Sequence, residues 1–258
     1  MLLLAAAFLL TALLYAMAGF GGGSTYTALL VLAGTDIKAV PVISLLCNVL
    51  VVTLGAIAFA RAGNFDARRS WPLFILSVPA AALGGRLAVG ETLFLGLLAF
   101  SLLCAGLTML WQPWWQQERQ PANGPRPVGW VEPLIAGLLG FAAGVVGIGG
   151  GIFLAPLLYV RRWGPPKAIA ATSAMFILVN SLAGLVGQAS KGLAATAAVI
   201  GDHLLLFPAV VVGGAAGALV GSRLIDPKWV RVVSALLILY VAVRLGLRWA
   251  AALSGASS

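Results

Sequence analysis

Two clusters of glycine lie 128 residues apart, each beside hydroxyl or amide side chains. The first is Gly21, Gly22 and Gly23, followed by Ser24, Thr25 and Thr27; the second is Gly149, Gly150 and Gly151. Glycine has no Cβ, so a ligand can approach its backbone closely. A helix that starts just after such a cluster points free N–H groups and a positive dipole end into the break. Two such N-termini facing each other would hold an anion without a charged side chain. Ile152 and Phe153 add no hydroxyls to the second copy, so the site would be asymmetric. The competing reading is close helix packing, for which membrane helices use small residues.

Each cluster is followed by an apolar segment carrying a few polar residues: Ser44 and Asn48 in the first copy, then Thr172, Ser173, Asn180 and Ser181 in the second. Ser44 and Asn48 share a helical face at i, i+4, and Ser173 and Asn180 share one at i, i+7. They either hydrogen-bond between helices or line a path for a small oxyanion. Four further residues are candidates for gating or coupling. Arg86 and Arg223 occupy matched positions, where arginine either snorkels to headgroups or attracts an anion. His203 could shuttle protons or form an interfacial pair with Asp202. Gln188 is a helix-end polar residue or a pathway residue.

The chain has only 7 acidic residues, all in loops or at segment ends. Proton and sodium relays are usually marked by mid-membrane carboxylates, so the core suits an anion better than a cation. Cys47 and Cys104 lie in apolar runs without metal-ligand spacing, and no metal or cofactor is expected.

These residues need elements to position them. The chain of 258 residues is 61% hydrophobic and 9% charged, with a mean hydropathy of +1.05. A soluble domain is nearer about a quarter charged. Apolar runs of about 17–22 residues point to membrane helices, not to barrel strands. The expected fold class is therefore an all-α polytopic membrane protein in contact with the lipid bilayer. The formal charge of +9 reads as membrane topology, because no soluble module could carry a nucleic-acid patch. No intramembrane His/Glu cluster or Ser–His pairing suggests an enzyme.

The expected organisation is a first repeat over 1–111, a polar linker over 112–129, and a second repeat over 130–258. Lys38 and Ser44 match Lys167 and Ser173 at an offset of 129. The run 83–87 resembles the run 220–224. Each half would contain a glycine-broken first element and three transmembrane helices. A short apolar piece, Leu193–Gly201, reads as interfacial. If all eight elements span, the 16 lysines and arginines divide evenly between the two sides. If each glycine-broken element is re-entrant, eleven fall on one face and five on the other. The second division obeys the positive-inside rule and makes the halves inverted repeats with both termini outside.

The pattern Gly-x-Gly-Gly-Gly, a proline, a short loop, and then Lys-Ala followed by Thr-Ser resembles the sulfite exporter TauE/SafE family of membrane permeases. The second half carries it best, with Gly147 to Gly151, Pro156, Lys167-Ala168 and Thr172-Ser173. The first half has Gly19 to Gly23 and Lys38-Ala39, lacks the proline, and has Ile43 where the second half has Thr172. The resemblance implies a multi-pass transporter of the bacterial inner membrane, exporting sulfite, sulfonates or sulfoacetate. The rival readings are a small-anion channel and a non-transporting scaffold. Proton coupling through His203 and the oligomeric state stay open.

Overall fold

The computed structural model describes residues 1–17, 20–118, 129–191, 200–221 and 227–255. Among them the chain is helical, as expected. The elements are α1 (Leu2–Met17), α2 (Gly23–Leu32), α3 (Val40–Arg61), α4 (Ala67–Arg86), α5 (Glu91–Glu118), α6 (Val131–Val146), α7 (Gly151–Val160), α8 (Pro166–Ala189), α9 (Leu206–Gly221) and α10 (Pro227–Gly255). α3, the Glu91–Trp111 part of α5, and α8 are long and apolar enough to cross a membrane. α5 runs on through Glu118, beyond the expected start of the linker at 112. Arg223 and most of the 193–201 piece lie outside the described residues.

Both glycine clusters break a helix and restart it. Gly22 and Gly150, the N-caps of α2 and α7, have φ of 76° and 73°. Gly147 and Gly149 also take positive φ, at 84° and 82°. A side chain is strained in this left-handed region, which is why glycine holds these positions.

After the second break the chain turns back. Arg161, just past α7, pairs with Glu132 in the first turn of α6 at 2.8 Å. α6 and α7 are therefore a hairpin with the glycines at its tip. After the first break α2 folds back onto α1, where Tyr15 bonds to Thr25 at 2.9 Å and Phe8 stacks on Tyr26 at 4.8 Å.

Neighbouring contacts fix the helix directions. α4 and α6 are parallel, since Ser77 meets Gly140 and Ala81 meets Gly144. α1 and α9 are parallel in the same manner, Leu9 meeting Gly213 and Leu13 meeting Gly217. α3 and α8 are antiparallel: Leu45 touches Gly184, while Val51 and Val52 share a small cavity with Ala174. α5 and α10 are also antiparallel, with Gly96 against Trp249 and Gly106 against Leu239. The neighbours thus map onto one another when α1–α5 are exchanged with α6–α10.

The α4–α6 and α1–α9 seams depend on glycine. A Cβ at Gly144 would fall onto the Ala81 carbonyl, and one at Gly217 onto the Leu13 carbonyl. In a membrane, close backbone approach supplies the packing energy that water exclusion cannot. Gly144→Val is expected to lower the melting temperature in detergent, with overpacking costing about 1–3 kcal/mol. Gly55→Ala, which meets no heavy atom within 4 Å, is expected to raise it slightly. Equal melting temperatures for the two variants would show that the seam does not bear on stability.

Candidate functional site at the crossing of the two breaks

The two breaks meet in the middle of the molecule, and α3 runs between them. Ser44 Oγ lies 2.8 Å from the Gly147 carbonyl oxygen and 3.0 Å from that of Gly23. One side chain thus touches the break of each half. Thr27 Oγ1 reaches Ser44 Oγ and Gly23 O, both at 2.8 Å. Two carbonyl oxygens and two hydroxyls share only two hydroxyl protons, so Ser44 can donate to one carbonyl at a time.

One turn later Asn48 fills the remaining space. Its Nδ2 donates to Ile148 O at 3.1 Å. A Cβ at Gly21 would lie 2.5 Å from Asn48 Oδ1, and a Cβ at Gly149 would lie 2.8 Å from Nδ2. A Cβ at Gly23 would fall on the same Nδ2 and 2.7 Å from Ile148 O. Glycine is required here because an amide side chain occupies the volume between two backbones. Beside Asn48 lies a cavity of about 10 Å³, lined by Tyr15, the 20–24 segment, Ile148 and Ile177. That is room for one water.

The second half presents different chemistry at matched places. The offset of 129 pairs Ser44 with Ser173, Asn48 with Ile177, and Val52 with Ser181. Gly21 faces Asn48 and Val52, whereas Gly149 faces Ile177 and Ser181 as well as Asn48. Ser173 Oγ and Ser181 Oγ are buried without a partner. The arrangement is polar-heavy on α3 and lighter on α8.

The remaining candidates lie elsewhere. Thr172 Oγ1 and Ser70 Oγ are hydrogen-bonded at 3.1 Å between α8 and α4. Asn180 Nδ2 bonds back to Phe176 O of its own helix at 2.8 Å. Gln188 donates to Gly144 O at 3.2 Å and accepts from Lys191 Nζ at 2.9 Å, at the far ends of α4 and α8. Arg86 is exposed at the end of α4. His203 sits half-buried in the turn before α9, away from the cavity lining.

Three residues at the crossing were not singled out from sequence: Tyr15, Ile148 and Ile177. Tyr15 had a signal, since a phenol inside an apolar run needs a partner when buried. Its hydroxyl lies 2.9 Å from Thr25 Oγ1 and 3.5 Å from Ser24 Oγ. Ile177 was findable by carrying the repeat offset of 129 through Asn48.

Ser44→Ala is expected to remove the donor to Gly147 O and lower the unfolding free energy by about 1–3 kcal/mol, the cost of an unsatisfied buried group. Ser44→Thr, which keeps the hydroxyl, is expected to recover part of that loss. Chemical denaturation in micelles measures both; an Ala variant as stable as the parent would remove Ser44 as the tie between the halves.

The geometry can be set beside known proteins. The chain matches the description Sulfite exporter TauE/SafE over residues 3–245, which spans both breaks and α3. It is 33% identical over 244 residues to the probable membrane transporter protein y4hK of Sinorhizobium fredii, covering 94% of this chain and 96% of that one. It is 31% identical over 111 residues to the probable membrane transporter protein YunE of Bacillus subtilis, covering 41% of this chain and 37% of that one. No solved structure matches the chain significantly. With paired glycine breaks, long apolar helices and a match along almost its whole length, this chain belongs to the sulfite exporter TauE/SafE family of membrane transporters.

Proposed function

We propose that the chain exports a small sulfur-containing oxyanion, such as sulfite, a sulfonate or sulfoacetate, across the bacterial inner membrane. The observation that carries this reading is the contact of both glycine breaks with one pair of side chains, Ser44 and Asn48. In this reading the N-terminus of α2, with the Ser24, Thr25 and Tyr15 hydroxyls, supplies donors to the anion. The backbone does much of the binding, so no cationic side chain is needed at the centre.

The topology we infer is inverted, with two repeats of five helices each. The hairpin made by α6 and α7 supports re-entry, because the chain enters and leaves that element at one end. The antiparallel pairs α3 with α8 and α5 with α10 support inversion. Arg61, Arg68, Arg69, Arg161, Arg162 and Lys167 then share the cytoplasmic face, and Lys38, Arg86, Lys191, Arg244 and Arg248 share the outer one. Two contacts fit this division: Arg69 lies 4.4 Å from the Trp163 ring, and Lys191 Nζ bonds to Leu87 O at 2.8 Å.

A cavity of about 10 Å³ supports a carrier with a closed centre over an open channel. Moving one hairpin against α3 would trade the shared Ser44 proton between the two carbonyls and open the crossing to one side. An anion leaving a cell negative inside gains about 2.3 kcal/mol per charge per 100 mV. Export therefore needs no coupling ion, and His203 is not required for it.

Radiolabelled sulfite trapped in proteoliposomes is expected to leave faster under an outward-directed driving potential, and Gly23→Ala is expected to abolish that flux while the protein stays folded. Unimpeded flux through Gly23→Ala would return the clusters to a packing role. In whole cells, on a Cys104→Ser background, a membrane-impermeant maleimide is expected to label Lys191→Cys and to spare Arg61→Cys; the other native cysteine, Cys47, is buried. Labelling of both would overturn the topology.

A further inference from the structure

Asn48 carries an acceptor that nothing satisfies. Its orientation is set by the bond from Nδ2 to Ile148 O, so Oδ1 must face the other way, toward Gly21. The residue is 0% exposed, and Oδ1 has no partner. It borders the cavity also lined by Tyr15, Gly21 and Ser24. The residues around the cavity thus bring the Tyr15 and Ser24 hydroxyls and one unpartnered amide oxygen together, and at about 10 Å³ the space admits an anion only once the breaks move apart. None of its lining residues carries a charge.

A fully deprotonated oxyanion satisfies only the donors. It leaves Asn48 Oδ1 unpaired, and a second negative charge would be buried without a cation to offset it. A monoanion that keeps one acidic O–H satisfies the hydroxyls and the amide oxygen. We propose that the transported species is such a monoanion, of the hydrogen-sulfite kind, and that Asn48 selects it by accepting its O–H. This rests on the anion-transport reading above and narrows it to sulfite, because sulfonates and sulfoacetate keep no acidic O–H near neutral pH. Sites built to hydrogen-bond a substrate hydroxyl reject analogues lacking it by up to about 10⁴–10⁵-fold.

Among the described residues, no group near Oδ1 is placed to mimic this pH dependence. α1 and α2 contribute the phenols of Tyr15 and Tyr26, and α3 contributes the Cys47 thiol; all three are ordinarily neutral near pH 7. The charged groups on the packed elements are Arg61 at the end of α3, Lys167 in the first turn of α8 and Glu132 in the first turn of α6, with its partner Arg161. α9 has none.

The test uses the full chain in proteoliposomes, with equal pH on both sides and a clamped potential. At fixed, subsaturating total sulfite, flux is expected to fall about tenfold per pH unit above the second dissociation of sulfite, following the protonated monoanion. Methanesulfonate, a monoanion with no O–H, is expected to move at least about a hundredfold more slowly and without pH dependence. Asn48→Leu is expected to bring the two anions toward equal flux. Should that variant not fold, calorimetry on the parent protein serves instead. Sulfite binding above its second dissociation, measured in two buffers of different ionisation heat, is expected to take up about one proton per anion. Sulfite flux that holds or rises with pH, methanesulfonate carried as fast as sulfite, an unchanged ratio in Asn48→Leu, or zero proton uptake (the result if a water alone fills Oδ1) overturns the selection. Absence of sulfite flux at every pH overturns the anion-transport reading, and this inference falls with it.

Discussion

Ser44 places one hydroxyl between two backbone carbonyls that are 124 residues apart in the chain, Gly23 and Gly147. A broken helix leaves carbonyls and amides without intrahelical partners, and in lipid water cannot supply them. Both breaks therefore depend on what α3 brings to them. Ser44 and Thr27 serve one end of the crossing and Asn48 serves the other. One proton cannot satisfy two carbonyls at once; Gly23 O also has Thr27 Oγ1 at 2.8 Å, whereas Ser44 is the short contact of Gly147 O.

The rest of the molecule holds that crossing in place. α4 with α6, and α1 with α9, make backbone-close parallel seams lined by glycine. Small residues let the two backbones of each seam touch directly, so the seam packs without intervening side chains. The ion pair of Glu132 with Arg161 closes the foot of the α6–α7 hairpin away from its tip. Glu132 is buried and Arg161 is its ion-pair partner, so the pair joins the two ends of the hairpin across the foot. The hairpin is thus tied at both ends, by the ion pair at its foot and by Ser44 and Asn48 at its tip.

Polarity at the centre is uneven although the packing is nearly symmetrical. Asn48 stands where the second half has Ile177, and Ser181 stands where the first half has Val52. A strictly symmetrical site would bind equally from both repeats. The crossing therefore carries its amide on α3 and its additional hydroxyl on α8. Among the described residues that line the central cavity none carries a charge, so its polarity comes from hydroxyls, an amide and backbone groups.

Much of this was legible in the order of residues. Hydropathy alone demanded helices, because no other open structure satisfies its backbone in lipid. The glycine clusters marked where those helices break, since positive φ at Gly22 and Gly150 is cheap for no other residue. The offset of 128–129 paired the halves. What periodicity could not decide was which polar residue faces which break, because a helix face is defined only relative to its neighbour. Asn180 and Ser181 are adjacent in sequence, yet the antiparallel setting of α8 against α3 turns Ser181 to Gly149 while Asn180 bonds back to Phe176. Tyr15 joined the site for the same reason: α2 folds back onto α1 and brings Thr25 to its hydroxyl. Composition and repeat determined the solvent, the element type and the position of the breaks; only tertiary packing decided that both breaks close on one serine and one asparagine.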